Sequence, residues 1–389
     1  MPDNNLVPDN NLVRAQLSRY IDWVKNQAIP FSLSEGFNTE TGAFYEHILA
    51  NGMANKKANM RVRVQARQQF VICYATDRGW LKDVQVYSDK VNRFLLESGK
   101  SPKNEALFAH LVSPEKMLLD DKIDLYDSAF HLLGFAWRYK VFNDKTALDN
   151  AQKLVSQLDI LFKGHAGGWN EGDYATHWRR QNPHMHLFEA FLALYEATNQ
   201  AKWLARAAEI YSLFEQVFFD HKNTVLLEFF ERDWRPFNGQ GGKIVEPGHM
   251  LEWVWLLKKY QSFTGSPVDS YCRSLFQNAI ELGLNTSTGL FHDQITPSGR
   301  AISHTHRCWS LTEYLKASIA LVNDAQIDTD SHIVKSIEAI FKYYITNESS
   351  GLYVDCIDKS GAVLDDKVQT STLYHLVLAA GEAEKYLTT

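Results

Sequence analysis

Several features that define other protein classes are missing from this 389-residue chain. It has only four cysteines, none close to another in the sequence, which argues against a zinc site and against a disulfide framework. Basic residues are not in excess: 40 Lys plus Arg against 46 Asp plus Glu give a net charge of −6. Because a mildly acidic chain has no general attraction to phosphate backbones, we expect no nucleic-acid partner.

The chain also lacks long apolar runs and linkers. No apolar run approaches the length of a membrane span, and the N-terminal segment lacks the basic-then-apolar order of a signal peptide. We therefore expect a cytoplasmic protein with no membrane partner. The ten prolines are dispersed, and no Pro/Gly/Ser-rich stretch divides the chain. This favours a single domain over residues 14–389 after a polar leader, residues 1–13, in which Pro2–Val7 is repeated as Pro8–Val13.

Helical periodicity is what the sequence has in abundance, because apolar residues recur at steps of three and four. The predicted helices are 12–28, 58–75, 79–97, 125–141, 144–162, 184–197, 201–217, 248–262, 267–283, 307–322, 331–345 and 371–386. A strand-like phrase, a glycine followed by aromatic or apolar residues and an acid, recurs in the long connections. Its glycines are Gly42, Gly167, Gly289 and Gly351, with weaker copies near 106–108 and 225–227.

These phrases are spaced by multiples of about 62 residues, so the chain is predicted to contain six helix-pair repeats. An open superhelix needs polar outer faces on its terminal repeats, whereas the last predicted helix is as apolar as the middle ones. The expected fold is all-α: an (α/α)6 barrel of six helical hairpins. Short β-hairpins in the long loops would lie over the active-site cleft.

Aligning the inner helices by the same period brings polar residues to one depth in apolar surroundings. They are Arg67, Ser128, Glu189, Glu252, Glu313 and His375. Further polar residues lie about one turn earlier: Arg63, Asp127, His184, His186, His249, His306 and Arg307. Because burying isolated carboxylates is costly, this column indicates a shared polar cavity. Mixed donors and acceptors suit a neutral polyhydroxylated ligand, although any one of these side chains could instead serve a structural role.

Metal binding is not favoured by the spacing of these residues. His184 and His186 are two positions apart on a predicted helix, which turns their rings about 200° from each other. No His-Glu-x-x-His motif occurs. We therefore expect no metal and no other cofactor.

Five segments together resemble the N-acylglucosamine 2-epimerase superfamily, and their residues are most similar to those of its mannose isomerase branch. They are Arg63-Val-Gln-Ala-Arg67, Tyr126-Asp-Ser-Ala-Phe130, Asn182-Pro-His-Met-His-Leu-Phe-Glu-Ala190, Glu246-Pro-Gly-His-Met-Leu-Glu-Trp253 and Tyr374-His375. The resemblance spans residues 40–385. It implies an (α/α)6 barrel, in agreement with the repeat spacing.

The resemblance also implies roles for individual residues. His249 and His375 would be the acid/base pair, Arg67 would hold a substrate hydroxyl or the enediolate oxygen, His186 would assist ring opening or bind a hydroxyl, and Glu252 would orient a catalytic imidazole. Other residues expected to bind substrate or support the site are His184, Glu189, Glu313, Asp127 and Arg307. The sequence departs from the family pattern at Ser128, where members often have histidine.

The function expected from this resemblance is cofactor-independent interconversion of D-mannose and D-fructose through a cis-enediolate. Histidine suits the proton transfer because its ordinary pKa lies near neutrality. Two histidines on different repeats also permit 2-epimerisation. An (α/α)6 glycoside hydrolase, which would need two opposed carboxyls, and a non-catalytic sugar-binding protein are more distant alternatives. Trp169, Trp178 and Trp234 are candidates to cover the C–H faces of a monosaccharide.

Overall fold

The computed structural model describes residues 10–345, 347–364 and 367–388. The helices are α1 (Asn10–Trp23), α2 (Ile29–Ser34), α3 (Val62–Asp77), α4 (Gln85–Ser98), α5 (Leu125–Phe142), α6 (Lys145–Phe162), α7 (Gln181–Thr198), α8 (Ala201–Leu213), α9 (Pro247–Thr264), α10 (Asp269–Gly283), α11 (Cys308–Ala320), α12 (Thr329–Tyr343) and α13 (Leu373–Thr388). A π-helical turn, Val24–Ala28, joins α1 to α2 without a break, and Phe214–Phe218 extends α8 in the same way.

The helices form two concentric rings. The inner ring is α3, α5, α7, α9, α11 and α13, in which each helix packs on the next and α13 packs back on α3. The outer ring is formed by α1, α4, α6, α8, α10 and α12, and each of these lies against an inner helix. The predicted (α/α)6 barrel is therefore confirmed, with closure made by the last helix.

The two rings differ in how their residues are buried. Inner helices are buried on almost every side; in α5 the whole stretch Asp127–Arg138 is buried. Outer helices such as α12 bury one apolar face and expose the other. Asp124 and Asp144 accept hydrogen bonds from the first backbone N–H groups of α5 and α6, so these helix starts are capped as the sequence allows.

Ring closure depends on a close approach between α13 and α3. A Cβ atom added to Gly381 would lie 1.9 Å from the hydroxyl oxygen of Tyr74, well inside van der Waals contact. Tyr74 is itself buried beside Trp137 and Trp80. The absence of a side chain at position 381 is what allows the two helices to meet.

Short strands occupy the long loops. They are β1 (Phe37–Asn38), β2 (Ala43–Phe44), β3 (His47–Leu49), β4 (Met60–Arg61), β5 (Lys100–Ser101), β6 (Asn104–Phe108), β7 (Leu111–Val112), β8 (Leu118–Asp120), β9 (Arg179–Arg180), β10 (Phe219–Asp220), β11 (Val225–Leu226), β12 (Phe229–Phe230), β13 (Leu284–Asn285), β14 (Leu290–Phe291), β15 (Thr305–Arg307), β16 (Cys356–Asp358) and β17 (Lys367–Gln369). Antiparallel hairpins β1–β2, β5–β6, β10–β11 and β13–β14 each follow an outer helix. Strand β17 pairs with β3, which ties the last long loop to the first.

The strand-like phrases of the sequence form strands only in part. Those at Gly42 and Gly289 contain β2 and β14, and the two weaker copies contain β6 and β11. The phrase at Gly167 contributes only an isolated bridge between Lys163 and Trp169, and the phrase at Gly351 contains no strand.

The predicted leader extends over residues 1–13. Residues 1–9 lie outside the described part of the chain, and residues 10–13 belong to α1, where Val13 is fully buried. Among the described helices, none combines the length and the apolar composition that crossing a lipid bilayer requires.

Candidate active site

Ionisable side chains gather at the end of the barrel where the inner helices begin. His249 lies in the first turn of α9 and His375 in the first turn of α13. Both imidazoles are nearly buried, with exposed fractions of 5% and 7%. The site is therefore built on the rigid inner ring rather than on the loops.

Carboxylates surround His249. Its Nδ1 lies 3.0 Å from Oε1 of Glu228 and 3.3 Å from Oε2 of Glu246. Gln181 donates to the other oxygen of Glu228 at 2.9 Å, so that carboxylate is fixed in turn. Burial lowers the pKa of His249, but the two carboxylates outweigh it and raise the pKa to about 10. At neutral pH His249 is an imidazolium that donates from Nδ1.

His375 has the opposite electrostatic environment. Its Nδ1 donates to Oε1 of Glu313 at 2.8 Å. Burial is the main reason why the pKa of His375 lies well below its usual value, and the positive charges of Arg67 and Lys316 lower it further. His375 is therefore neutral at pH 7, and the proton on Nδ1 leaves the Nε2 lone pair available.

Trp309 lies between the two histidines. Its ring centroid is 5.1 Å from that of His249 and 5.6 Å from that of His375, with interplanar angles of 37° in both pairs. Gly248 makes this placement possible, because a Cβ atom there would lie 2.5 Å from the Trp309 ring. The indole thus separates an imidazolium from a neutral imidazole.

Arg67 is held beside His375 by contacts with α5 and with the turn that precedes α13. Its guanidinium donates to the backbone oxygen of Ser371 at 3.1 Å and to the hydroxyl of Tyr126 at 2.6 Å. The guanidinium carbon also lies 3.9 Å from the centroid of the Phe130 ring. Arg67 forms no ion pair with a carboxylate among the described residues, so its charge remains available to an anionic ligand atom.

A third group of polar side chains comes from α7, α9 and α13. Nδ1 of His186 is 3.3 Å from Oε2 of Glu189 and 3.9 Å from Oε1 of Glu252. The hydroxyl of Tyr374 donates to Glu189. Oε1 of Glu252 is buried and has no hydrogen-bond partner in the described part of the chain, although such atoms are normally satisfied. This oxygen is a free acceptor for a ligand hydroxyl.

Three groups of described residues could offer ligand atoms to one ion. They are His186, Glu189 and Glu252; Glu228, Glu246 and His249; and Glu252, Glu313 and His375. In each group Nδ1 of the histidine is directed at a carboxylate, which leaves only Nε2 as a ligand atom of that histidine. Lys316 also lies 2.7 Å from Glu313. The positive charges of His249 in the second group and of Lys316 beside the third disfavour a bound cation there.

Comparison with known proteins assigns this arrangement to a family. The sequence model of the N-acylglucosamine 2-epimerase (GlcNAc 2-epimerase) family matches residues 42–379. The chain belongs to that family. The structure agrees with a D-mannose isomerase structure at TM-score 0.82, with 18% identity over 99% of both chains. It also agrees with the cellobiose 2-epimerase of Spirochaeta thermophila DSM 6192 at TM-score 0.86, with 17% identity over 100% of this chain and 99% of the other.

A curated relative supports the enzyme class. This N-acylglucosamine 2-epimerase family member is 30% identical over 383 residues to a protein named mannose-6-phosphate isomerase from Rhizobium meliloti (strain 1021). The alignment covers 96% of this chain and 98% of the relative. The predicted isomerase class is confirmed.

Three of the polar residues aligned by the sequence period form hydrogen bonds to the backbone in this family member. His184 donates from Nδ1 to the backbone oxygen of Arg180, and its Nε2 accepts from the N–H of Trp169, so neither nitrogen is left for substrate. His306 is likewise bonded to the backbone oxygen of Phe291. The hydroxyl of Ser128 donates back into its own helix, to the oxygen of Asp124.

Asp127 and Arg307 differ in how strongly they are engaged. Asp127 is held by Arg63 at 2.8 Å and His110 at 2.6 Å; Arg63 and His110 keep its pKa at about 2 despite burial. Arg307 is exposed, and its guanidinium forms no hydrogen bond or ion pair within the described chain. Asp127 therefore orders Arg63, whereas Arg307 can still move to meet a ligand.

The imidazole of His249 is bonded by Glu228, in the loop between β11 and β12, which the sequence did not single out. Glu252, expected to orient a catalytic imidazole, lies 3.9 Å from that of His186. The predicted sugar-covering role of two tryptophans is also unsupported, because Trp169 and Trp234 are buried around His184. Trp178 is half-buried against Phe229.

Proposed function

We propose that this protein interconverts D-mannose and D-fructose through a cis-enediolate, with His375 as the base and no cofactor. The observation that carries the proposal is the opposite electrostatic surroundings of two buried histidines. His249 lies between the carboxylates of Glu228 and Glu246, which raise its pKa, whereas burial and the nearby positive charges lower the pKa of His375, which is bonded to Glu313. A base and an acid that differ in this way are what isomerisation next to a carbonyl requires.

The proton path follows from the two tautomers. Nε2 of His375 takes the proton from carbon 2 of the open-chain mannose, and the imidazolium of His249 donates a proton to the carbonyl oxygen at carbon 1. His375 then returns its proton to carbon 1, and His249 recovers one from the hydroxyl at carbon 2. The same side of a planar intermediate is used twice, so one base is enough.

Arg67 and the third polar group have complementary tasks. Arg67 keeps its charge and its fork of donors without a carboxylate partner, which suits stabilisation of the enediolate oxygens. The unpartnered oxygen of Glu252 can accept a sugar hydroxyl, and His186 lies next to it. We assign these two residues to hydroxyl binding and ring opening.

A 2-epimerase is the second candidate, because relatives of this fold include cellobiose 2-epimerases. Epimerisation needs an imidazole on each face of carbon 2, and each imidazole must be the base in one of the two directions. Two carboxylates on His249 disfavour its neutral form. The electrostatics therefore favour the one-base isomerase.

The relative named mannose-6-phosphate isomerase raises the question of a phosphorylated substrate. Among the cationic groups near the site, Arg63 is paired with Asp127 and His249 with Glu228, and the free charge of Arg67 is assigned to the enediolate oxygens. Arg307 has no ion pair among the described residues. Burial lowers its pKa, but the charges of Asp355, Asp293 and Glu246 raise it overall, and these carboxylates would repel a dianion. We therefore propose the neutral sugar, and expect kcat/KM to be higher for D-mannose than for its 6-phosphate.

NMR of D-mannose incubated with the protein in heavy water tests the proposal. Fructose is the expected product. It should carry deuterium at carbon 1 to the extent that the proton removed from carbon 2 exchanges with solvent before it is returned. Glucose formed without fructose would show that the protein is a 2-epimerase and not an isomerase. His375→Asn should abolish both exchange and turnover, and full turnover in that variant would remove the assigned base.

A further inference from the structure

A lysine lies completely buried beneath the active site. Lys316 is on α11 with no exposed surface, and its Nζ is 2.7 Å from Oε2 of Glu313. The same nitrogen lies 4.0 Å from the centroid of the Trp255 ring. Lysine is rarely buried in this way without a specific partner. The other oxygen of that partner, Oε1 of Glu313, is the acceptor for His375.

Three buried carboxylates share this one lysine. They are Glu313 on α11, Glu252 on α9 and Glu189 on α7, with exposed fractions of 0%, 1% and 3%. The negative charges of all three favour the protonated, cationic form of Lys316. Removing a cation from such a group would leave a negative charge without compensation in a dry environment. A carboxyl in that position responds by taking up a proton.

Glu313 is the carboxyl that most needs a cation beside it. Burial raises its pKa well above the ordinary value, and the charges of Glu252 and Glu189 raise it further, whereas the ammonium of Lys316, 2.7 Å away, lowers it. Further groups face Glu313 from α13 and α1: His375 by a hydrogen bond, and the phenols of Tyr374 and Tyr20 through space. Among all of these, Lys316 is the main influence that favours the ionised carboxylate.

The protonation of Glu313 decides which nitrogen of His375 carries the proton. An ionised Glu313 can only accept, so Nδ1 of His375 bears the proton and Nε2 is a free base. A protonated Glu313 would donate to Nδ1 instead, and the proton of the neutral imidazole would then have to sit on Nε2. In that tautomer His375 cannot remove a proton from carbon.

We propose that Lys316 is a positioning residue that keeps Glu313 ionised and thereby holds His375 in the tautomer needed for a base. The role assigned to His375 rests on the proposed function, whereas the effect of Lys316 on the tautomer does not. Lys316 acts through Glu313 and need not touch the sugar.

Two measurements on Lys316→Met test this assignment. In ¹⁵N-histidine NMR of the whole protein, with the His375 signals identified from His375→Asn, wild type should show the Nδ1-protonated form at neutral pH. Lys316→Met should show the Nε2-protonated form, and should regain the first form only at higher pH. The acidic limb of kcat/KM should move upward by about one unit or more, which is about a ten-fold loss near neutral pH.

Matched variants separate this role from a structural one. Lys316→Arg keeps the charge and should keep the wild-type tautomer. Lys259→Met removes another lysine from the inner ring, one that is paired with Glu196 at 2.8 Å, and should alter neither the tautomer nor the acidic limb. If Lys316→Met shows the wild-type tautomer and limb, with only a lower Tm, the proposal is wrong.

A double variant covers the case in which Lys316→Met does not fold. In Glu313→Gln the amide cannot ionise, so adding Lys316→Met should leave the His375 tautomer of Glu313→Gln unchanged. A further change in the double variant would show that Lys316 acts by another route and would overturn the proposal. Because the tautomer is read without substrate, a wild type that fails to convert mannose would refute the proposed function alone.

Discussion

The charge on His249 should depend mainly on Glu228. This carboxylate lies 3.0 Å from Nδ1 of His249, and it is the largest of the groups that raise the imidazole pKa to about 10. In Glu228→Gln the bond geometry is kept while the charge is removed, which should lower that pKa by about 1–3 units. The alkaline limb of kcat/KM should then fall from near pH 10 to between about 7 and 9.

The sign of the effect follows from the role of His249 as a proton donor. Activity requires the imidazolium, so it is present below the pKa and lost as pH rises through it. Stability follows the same direction: the ion pair stabilises the fold fully below pH 6.5 and ceases to do so as pH rises through about 10. In Glu228→Gln that loss of stability should begin at a lower pH.

The assay is fructose formation from D-mannose across the pH range, with circular dichroism to confirm that each variant stays folded. Glu246→Gln should shift the limb less, because its oxygen is more distant, at 3.3 Å, and 19% of its side chain is exposed. Glu171→Gln removes a buried carboxylate that bonds Arg180 and no imidazole, and should leave the limb in place. An unchanged alkaline limb in Glu228→Gln would refute this account of His249.

Three further predictions concern packing and cofactors. Gly248→Ala should push the Trp309 ring away from His249 and lower kcat/KM by about ten-fold or more, because the added Cβ would lie 2.5 Å from that ring; wild-type kinetics would contradict this. Gly381→Ala should destabilise the fold by about 1–3 kcal/mol in urea unfolding, and Tyr74→Phe in the same chain should recover part of the loss. Prolonged treatment with a chelator should leave turnover unchanged; a loss restored by a divalent cation would reopen the metal question.

The barrel could be predicted from the sequence because its helix pairs recur with a regular period. A 62-residue recurrence and apolar spacing place Arg67, Glu189, Glu252, Glu313 and His375 on five different helices of the inner ring, and the structure has each of them on such a helix. Helix boundaries were less regular. The first predicted helix, 12–28, continues through a π-helical turn to Ser34, because apolar contacts rather than propensity set its end.

The partners of the catalytic groups were harder to predict. Glu228 lies in a loop between two strands, outside the helical period, so nothing in its spacing relates it to His249. Trp309 and Lys316 lie on α11 among apolar residues and look like core and surface positions in sequence. His184 shows the opposite error, a residue predicted to support the site that does not. It lies in a motif typical of site residues, but backbone groups bond both of its ring nitrogens.

The closed ring imposes an order on assembly. Arg67, from the first inner helix, donates to the backbone oxygen of Ser371, 304 residues later, and the proposed base lies on the last helix. During synthesis on the ribosome, most of the residues of the cleft are therefore made well before His375, the proposed base. Joining such distant segments has a high entropic cost, so docking of α13 and activity should appear together and late in refolding.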